Sequence, residues 1–191
     1  MSKFFAFLSR MKYIKRWSLM RSVREENIME HTLEVSIIAH ALATIKNKFF
    51  NGNVNVEKVV LLSQYHEVGE VITGDLPTPI KYFNPEIKKA YKEIEKGACE
   101  RILDMLPENL KGEYAEYILP DENSEEYKIV KSADRLSAYL KCVEEIKAGN
   151  GEFKKAKKSI LLELKSLKRE EVDYYLNEFA PAYELTLDEL D

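Results

Sequence analysis

The chain has 191 residues, of which 45% are hydrophobic and 32% are charged, a balance that is ordinary for a globular protein and argues against disorder. This length is enough for one substantial core and too short for two comfortable ones. The formal net charge of −4 offers no general attraction for nucleic-acid phosphates, so a nucleic-acid polymer is not expected as a partner. Any phosphate that the protein handles must therefore meet a local basic group or a metal ion.

The cysteine pattern and the apolar runs indicate the compartment. Cys99 and Cys142 are isolated thiols, which suit a reducing environment better than a disulfide framework. The apolar run at residues 4–8 is too short for a secretory signal, and no stretch reaches the roughly 20 apolar residues of a membrane span. We therefore expect a cytoplasmic protein with no membrane partner.

The first half of the chain shows helical periodicity. A helix is predicted over residues 30–48, where apolar side chains recur at spacings of three and four. The loop at 51–53 ends that helix, and Asn55 caps a second one that is predicted to run to about Ile72. The segment 74–79 follows, and its two prolines cannot continue a helix.

The second half is also helical. A third helix is predicted over 85–105, with Pro85 in its first turn. Three more are predicted over 125–147, 152–168 and 170–179, with a glycine-rich break after the first of them. No period-two alternation persists long enough for a typical strand. The predicted fold is an all-α bundle that forms a single domain over residues 1–191.

Four side chains suited to metal binding fall on inward helix faces. His31 heads the apolar stripe of the first helix, and His66 and Glu67 both approach the inward face of the second. Asp134 lies on one side of the helix predicted over 125–147. His40 lies off the stripe of His31, and we assign it a structural role.

Convergence distinguishes these four residues from ordinary core polar groups. Taken singly, each of them is more often a hydrogen-bonded core or rim residue than a ligand. Together, two imidazoles and two carboxylates from three helices indicate a divalent cation, because isolated buried carboxylates are costly and a cation compensates them.

The pattern His31 … His66-Glu67 … Asp134 resembles the metal site of the HD-domain phosphohydrolases, whose signature is H … HD … D on helices. Further segments resemble the bacterial 5′-deoxynucleotidase family, so that the resemblance extends over nearly the full chain. One departure concerns a ligand position, since the family has Asp where this chain has Glu67. The segments are residues 4–10, 16–21, 30–33, 74–83 and 138–142.

The resemblance implies an HD-domain helical bundle that hydrolyses deoxyribonucleoside 5′-monophosphates to deoxynucleoside and phosphate by attack of metal-bound water. It also implies a homodimer, for which the neighbouring Tyr174 and Tyr175 are candidate interface residues. The ligand set suits one divalent transition metal, namely Co²⁺, Mn²⁺, Zn²⁺ or Fe²⁺, and the resemblance favours Co²⁺. The implied ligands are His31, His66, Glu67 and Asp134.

Catalytic roles follow from physical need and from the same resemblance. Glu70 lies one turn beyond His66 on the predicted helix, where it is placed to take a proton from the attacking water. Without the resemblance, an exposed helix carboxylate is the better interpretation of Glu70. Arg16 is suited to grip phosphoryl oxygens, because a guanidinium binds them with charge-assisted, bidentate hydrogen bonds. Asp75, in the Gly-Pro turn, assists the leaving 5′-oxygen in the family reading.

The remaining substrate contacts are implied by the resemblance. Trp17, the single Trp of the chain, is placed against the sugar, where its bulk excludes a 2′-hydroxyl. A half-buried packing residue is the ordinary alternative for a Trp. The full set implied for substrate binding is Arg16, Trp17, His31, Glu67, Asp75, Leu76, Pro77, Thr78 and Asp134.

Three other functions stay open from the sequence. The first is an HD phosphohydrolase that acts on another nucleotide. The Arg16-Trp17 pair and the 74–79 loop argue against this substrate. A nucleotide-binding module with weakened catalysis would follow if Glu67 impairs the metal site. A purely structural bundle is least favoured, because His and Asp interrupting apolar stripes serve no packing purpose.

Overall fold

The computed structural model describes residues 1–81 and 83–191, and of Thr78 the backbone alone. Its described residues contain helices and no β-strand, which confirms the all-α prediction. None of the described helices combines the length and the apolar character that crossing a bilayer requires. The α-helices are α1 (Phe4–Leu8), α2 (Ile28–Phe49), α3 (Val56–Tyr65), α4 (Glu70–Thr73), α5 (Thr78–Lys81), α6 (Pro85–Leu103), α7 (Glu108–Ile118), α8 (Glu125–Lys147), α9 (Lys154–Ser166) and α10 (Glu170–Glu178).

Helix α2 organises the main core. Its start is fixed by a capping box, in which the Asn27 side chain accepts the N–H groups of Met29 and Glu30 while Glu30 accepts the N–H of Asn27. The helix packs against α3, α8 and α10, and α8 packs in turn against α9. The predicted apolar stripe is therefore confirmed as its buried face. The fully buried residues of α2 include Val35, Ile38, Ala39, Leu42 and Ala43.

A second apolar cluster lies beneath α1, α6 and α7. Helix α7 is not predicted from the sequence. Ile118 is its one buried residue, so the helix shows no clear apolar periodicity. The cluster joins the N-terminal segment to the region that follows α3. Its buried members are Phe4, Met11, Ile28, Val68, Ile102, Leu106 and Ile118.

The predicted continuation of the second helix to Ile72 is wrong. Helix α3 ends at Tyr65, and residues 66–69 form a turn before α4 begins at Glu70. Gly69 lies against α6 so closely that a Cβ there would be 3.1 Å from the Sγ of Cys99. Tertiary packing therefore ends the helix at a position that local periodicity does not reveal.

The segment 74–79 also differs from the prediction. Gly74 ends α4 with a φ of 71°, as expected for a helix break, but the single-turn helix α5 begins within the segment, at Thr78. Pro79 is accommodated there because the first turn of a helix has no use for its missing N–H. The other predicted helices are confirmed, with ends that shift by at most two residues.

The proposed interface role of Tyr174 and Tyr175 is not supported by their surroundings. Tyr175 is buried, and its hydroxyl lies 3.4 Å from that of Tyr183. The ring of Tyr174 stacks on Phe49 at a centroid distance of 5.1 Å. Both rings are thus occupied by packing within the chain.

Glu145 on α8 anchors the loop that precedes α2. Its carboxylate accepts the backbone N–H groups of Val23 (2.8 Å) and Arg24 (3.2 Å). It also accepts hydrogen bonds from Lys141 Nζ (2.6 Å) and Asn150 Nδ2 (2.8 Å). Burial alone would raise the pKa of Glu145, but these four donors hold the pKa at about 2.

We predict that Glu145→Gln lowers the free energy of unfolding at pH 7 by roughly 2 kcal/mol, because hydrogen bonds to a charged acceptor are lost. A pKa lower in the folded than in the unfolded chain stabilises the fold above about pH 4.5, and that stabilisation is lost as the pH falls towards 2. The deficit of the variant should therefore shrink below pH 4.5. Urea unfolding at pH 7, 5 and 4, with the exposed Glu144→Gln as control, measures it. A deficit independent of pH would contradict the assignment.

Candidate metal centre

Three elements bring the four predicted ligands together. His31 lies in the first turn of α2, His66 and Glu67 follow the end of α3, and Asp134 lies in the middle of α8. One ligand atom from each residue lies within 4.8 Å of the corresponding atoms of the others. The mutual packing of α2, α3 and α8 produces this convergence, which agrees with the sequence pattern.

The His66 imidazole is prepared to act as a ligand. Its Nδ1 lies 2.6 Å from the backbone carbonyl oxygen of Ser63, and since a carbonyl only accepts, Nδ1 must carry the proton. The lone pair is therefore on Nε2, which is buried and has no hydrogen-bond partner. Burial lowers the pKa of His66 to about 4, so the ring is neutral at pH 7.

The His31 ring is oriented from its far side. Its Nδ1 lies 3.2 Å from Ser137 Oγ and 3.5 Å from Glu26 Oε1. Ser137 donates its own proton to Glu34 Oε2 (2.9 Å), so towards His31 its oxygen acts as an acceptor. Both neighbours thus favour a proton on Nδ1, and Nε2 faces the cluster, 3.1 Å from Asp134 Oδ1.

Both ligand carboxylates are held in the ionised form. Burial would raise the pKa of Asp134, but Lys131, with its Nζ 3.0 Å from Oδ2, and His31 lower that pKa well below its usual range. Burial likewise opposes the charge of Glu67, and the neighbouring His66 does most to lower the pKa of this carboxyl. Two negative charges therefore lie in the cluster beside the neutral ring of His66 and the ring of His31. Burial and Arg16 oppose a charge on His31, but its contacts with Asp134 and Glu26 outweigh them and raise its pKa.

These residues fit one divalent transition-metal ion. Ligand atoms at about 2.1 Å from a shared ion lie roughly 3.0–3.4 Å from one another in common geometries. The distances of 3.1 Å from His31 Nε2 to Asp134 Oδ1 and 3.4 Å from His66 Nε2 to Glu67 Oε1 agree with that spacing. The unpartnered Nε2 of His66 supplies the same indication independently. Two imidazoles and two carboxylates suit several metals and do not select one.

Glu70 lies beside the cluster, although on α4 and not on the helix of His66 as predicted. Its carboxyl group interacts electrostatically with that of Glu67, and its Oε2 is buried without a partner. Burial and then the Glu67 carboxylate raise its pKa. Since only 6% of the residue is exposed, the alternative of an exposed helix carboxylate is wrong.

Arg16 contributes a positive charge near the cluster, on a side chain that is 13% exposed. Burial opposes that charge, but the carboxylates of Asp134, Glu67, Glu26 and Asp75 outweigh it and raise the pKa of the guanidinium. Its Nε is buried without a hydrogen-bond partner and lies 3.6 Å from Glu26 Oε2. The guanidinium therefore faces an acidic surrounding with hydrogen-bonding capacity to spare.

Trp17 is half-buried next to Arg16. Its indole Nε1–H donates to Glu26 Oε2 at 2.9 Å, and its ring lies 5.3 Å from that of Phe153. The residue has a φ of 58°, a left-handed conformation that costs a non-glycine residue about 1 kcal/mol or more. The contacts with Glu26 and Phe153 therefore hold the ring in a defined position, although the backbone of Trp17 is strained.

The loop after α4 is less fully defined. Asp75 is half-buried, and burial raises its pKa while Arg16 opposes the rise. Its electrostatic interactions with Arg16 and Glu67 place it on the side of the cluster. Leu76 and Pro77 are half-buried beside it, and the side chain of Thr78 lies outside the described part of the structure.

Three supporting residues are not predicted from the sequence. Lys131 and Ser137 lie three positions before and after Asp134, so helical spacing around a ligand is a signal that identifies them. Glu26 lies in a loop and has no such signal. Only the closure of that loop against α2 brings it to His31, through hydrogen bonds from Arg16 N–H to Glu26 O (2.9 Å) and from Ile28 N–H to Ile14 O (3.0 Å).

Comparison with known proteins indicates the same family that the sequence motifs resemble. A family model described as 5′-deoxynucleotidase YfbR-like matches residues 3–183. The chain is 54% identical over 190 residues to a 5′-deoxynucleotidase of Vibrio vulnificus, covering 99% of this chain and 98% of the relative. It is 53% identical over 192 residues to the 5′-deoxynucleotidase YfbR of Escherichia coli O127:H6, covering 99% and 96%.

Crystal structures of HD-domain proteins share the fold. An HD-domain phosphohydrolase from Listeria innocua aligns with a TM-score of 0.83 at 22% identity, covering 95% of this chain and 88% of that one. The cyanophage S-2L HD phosphohydrolase, whose structure holds dA and one catalytic Zn²⁺ ion, aligns with a TM-score of 0.65 at 20% identity, covering 95% and 96%. At such identities the likeness establishes the fold alone.

We predict that His66→Ala abolishes metal binding while the helices persist, because one ligand is lost and the apolar stripes are kept. Metal content after dialysis against Co²⁺, with circular dichroism as the folding check, measures this. His40→Ala is the matched control, since His40 is exposed on α2. A His66→Ala protein that retains a full equivalent of metal would show that the ion lies elsewhere.

Proposed function

The chain belongs to the YfbR-like 5′-deoxynucleotidase family, and we propose that the cluster of His31, His66, Glu67 and Asp134 is where it hydrolyses deoxyribonucleoside 5′-monophosphates. The products are the deoxynucleoside and inorganic phosphate. The observation that carries this assignment is the buried, unpartnered Nε2 of His66 beside three further ligand atoms. Such a group is costly in a core unless a cation compensates it.

The four cluster residues would hold the metal ion. When bound, a divalent cation there supplies charge stabilisation for the phosphoryl oxygens and acidifies a coordinated water. The chain contributes two neutral imidazoles and two ionised carboxylates, which bring a net charge of −2 to balance it. Among Co²⁺, Mn²⁺, Zn²⁺ and Fe²⁺, the family resemblance supports Co²⁺.

Arg16 binds the phosphate in this proposal. Its guanidinium is buried and positively charged, and its Nε has no hydrogen-bond partner. An anionic phosphoryl group entering beside the cluster would meet that free donor, and Arg–phosphate hydrogen bonds are among the strong ones. Binding the phosphate here also sets the direction from which water attacks it.

Glu70 is proposed to accept the proton of the attacking water. Burial and the Glu67 carboxylate raise the pKa of Glu70 to about 11, so this role requires a bound cation that offsets the charge of Glu67. The Oε2 of Glu70 is buried without a partner, which leaves an acceptor free for a water molecule. Asp75, which interacts electrostatically with Arg16, is proposed to assist the leaving 5′-oxygen. Each carboxyl group would then act on one end of the bond exchange at phosphorus.

The sugar is proposed to lie against Trp17. A rigid indole there would leave too little room for a 2′-hydroxyl, and pocket shape of this kind leaves base choice loose. Leu76, Pro77 and Thr78 are proposed to line the opposite wall. His31, Glu67 and Asp134, which would hold the metal ion, are proposed to lie beside the phosphate.

A cytoplasmic homodimer completes the proposal. The free thiols of Cys99 and Cys142 support a reducing compartment. The dimer is supported by the family resemblance. The net charge of −4 favours mononucleotide substrates over a nucleic-acid polymer.

Phosphate release from dAMP, dGMP, dCMP, TMP and AMP tests the function. We predict release from the four deoxynucleotides, little from AMP, loss of activity with chelator and recovery on adding Co²⁺ or Mn²⁺. Hydrolysis of dAMP at the untreated rate after chelation would contradict metal dependence. Binding of dAMP without turnover would favour the nucleotide-binding module, and equal rates for AMP would favour a different HD phosphohydrolase.

We predict that Glu70→Gln lowers turnover by ~10²-fold or more while metal and dAMP still bind, because the proton acceptor is removed and the shape is kept. Steady-state kinetics and calorimetric titration with dAMP measure the two effects separately. Glu57→Gln, an exposed carboxylate on α3, is the control. A near-normal rate for Glu70→Gln would exclude Glu70 from the proton transfer.

We predict that Glu67→Asp raises Co²⁺ affinity or turnover. Glu is one methylene longer than the family's Asp, and misplacement on the order of 1 Å at a reacting centre can cost ~10²-fold in rate. Co²⁺ titration and dAMP kinetics of the two proteins measure it, with Glu67→Ala as the variant that loses the ligand altogether. Lower activity in Glu67→Asp would show that this pocket is built around glutamate.

A further inference from the structure

We propose that Glu26 is a positioning residue that joins a metal ligand to the substrate-binding residues. Its Oε1 lies 3.5 Å from His31 Nδ1. Its Oε2 accepts the indole N–H of Trp17 at 2.9 Å and lies 3.6 Å from Arg16 Nε. One carboxylate, whose side chain is 11% exposed, thus contacts three residues of the site. The inference rests on the proposed function of the cluster.

The contact with His31 concerns the ligand atom itself. An imidazole that binds a cation through Nε2 must carry its proton on Nδ1, and an acceptor behind Nδ1 enforces that tautomer. Ser137 Oγ is the nearer acceptor, but it is a neutral hydroxyl that is already engaged with Glu34. The Glu34 carboxylate also lies within 4.8 Å of the ring, but its direct contact is with Ser137. Glu26 adds a negative charge that faces Nδ1 itself, so it strengthens His31 as a ligand.

The contact with Trp17 fixes the edge of the indole. Two contacts restrain the ring, namely the tilted packing against Phe153, at an interplanar angle of 58°, and the N–H donated to Glu26. The first restrains the ring plane loosely, because aromatic packing tolerates sliding. The hydrogen bond restrains rotation within that plane. Discrimination against a 2′-hydroxyl therefore depends on Glu26 through Trp17.

Glu26 contacts Arg16 through both its backbone and its side chain. Its backbone N–H donates to the carbonyl oxygen of Glu26 at 2.9 Å, and its Nε lies 3.6 Å from Oε2, beyond hydrogen-bond distance. The ion pair therefore orients the guanidinium without using its donors. Those donors stay available for phosphate.

Glutamine cannot replace Glu26 in this arrangement. His31 Nδ1–H and Trp17 Nε1–H are donors that face different oxygens of the carboxylate, whereas an amide offers one oxygen and one NH₂ group. The oxygen should keep the shorter contact with Trp17, so the NH₂ group would face Nδ1. A donor there favours the proton on Nε2, which is the nitrogen needed by the metal.

The test uses Glu26→Gln with Glu25→Gln as the matched control. Glu25 is the neighbouring residue, and its exposed side chain pairs with Lys15 at 2.7 Å. Calorimetric titration of the metal-free full-length proteins with Co²⁺ should give a Kd about 10–100-fold weaker for Glu26→Gln and an unchanged Kd for the control. Trp17 is the single Trp, so its emission should stay near the wild-type spectrum in Glu26→Gln.

Two further variants test the link to the sugar. Glu26→Ala removes both oxygens and should shift Trp17 emission to longer wavelength and lower the ratio of kcat/KM for dAMP over AMP. Trp17→Phe removes the N–H donor together with one ring of the indole, and it should lower the same ratio even if Glu26→Ala fails to fold. A ratio unchanged in Trp17→Phe would overturn the link between Glu26 and sugar selectivity.

A Co²⁺ Kd of Glu26→Gln within twofold of that of Glu25→Gln would overturn the role towards His31, even if the variant melted at a lower temperature. Thermal destabilisation alone would mean that Glu26 is structural. If wild-type protein fails to hydrolyse dAMP, the proposed function is wrong, whereas the Kd and the emission spectrum still decide the role of Glu26 because neither needs turnover.

Discussion

Two carboxylates and two imidazoles lie where α2, α3 and α8 meet. The rest of the structure depends on stabilising the negative charge of these two carboxylates inside the protein. Each ring nitrogen that faces away from the cluster meets an acceptor, the Ser63 carbonyl behind His66 and Ser137 with Glu26 behind His31. Those acceptors direct the lone pairs inward. A bound cation would compensate the two carboxylates, whereas without one their burial costs free energy.

The loop before α2 extends this site towards the substrate. Glu145 on α8 holds the loop at Val23 and Arg24, and backbone hydrogen bonds between residues 14–16 and 26–28 close its two ends. Closure brings Arg16 and Trp17 to Glu26, and through Glu26 to His31. The phosphate-binding group, the sugar-facing ring and a metal ligand are therefore parts of one connected structure.

The sequence predicts the parts of this protein that repeat with helical period. The stripes of α2 and α8 are visible because several apolar residues recur on one face, and they place His31 and Asp134 inside. The end of α3 at Tyr65 is not visible, because Gly69 meets Cys99 on α6, a contact between residues thirty apart. Glu26 is invisible for the same reason: loop closure, and no periodic pattern, determines its neighbours.

The central claim is that one metal ion binds among His31, His66, Glu67 and Asp134. X-ray diffraction from crystals grown with Co²⁺, recorded on both sides of the cobalt absorption edge, locates the ion directly. We predict one anomalous peak within about 2–2.5 Å of Nε2 of both histidines and of one oxygen of each carboxylate. A cobalt peak away from these four atoms, or no peak in this cluster at saturating Co²⁺, would contradict the account.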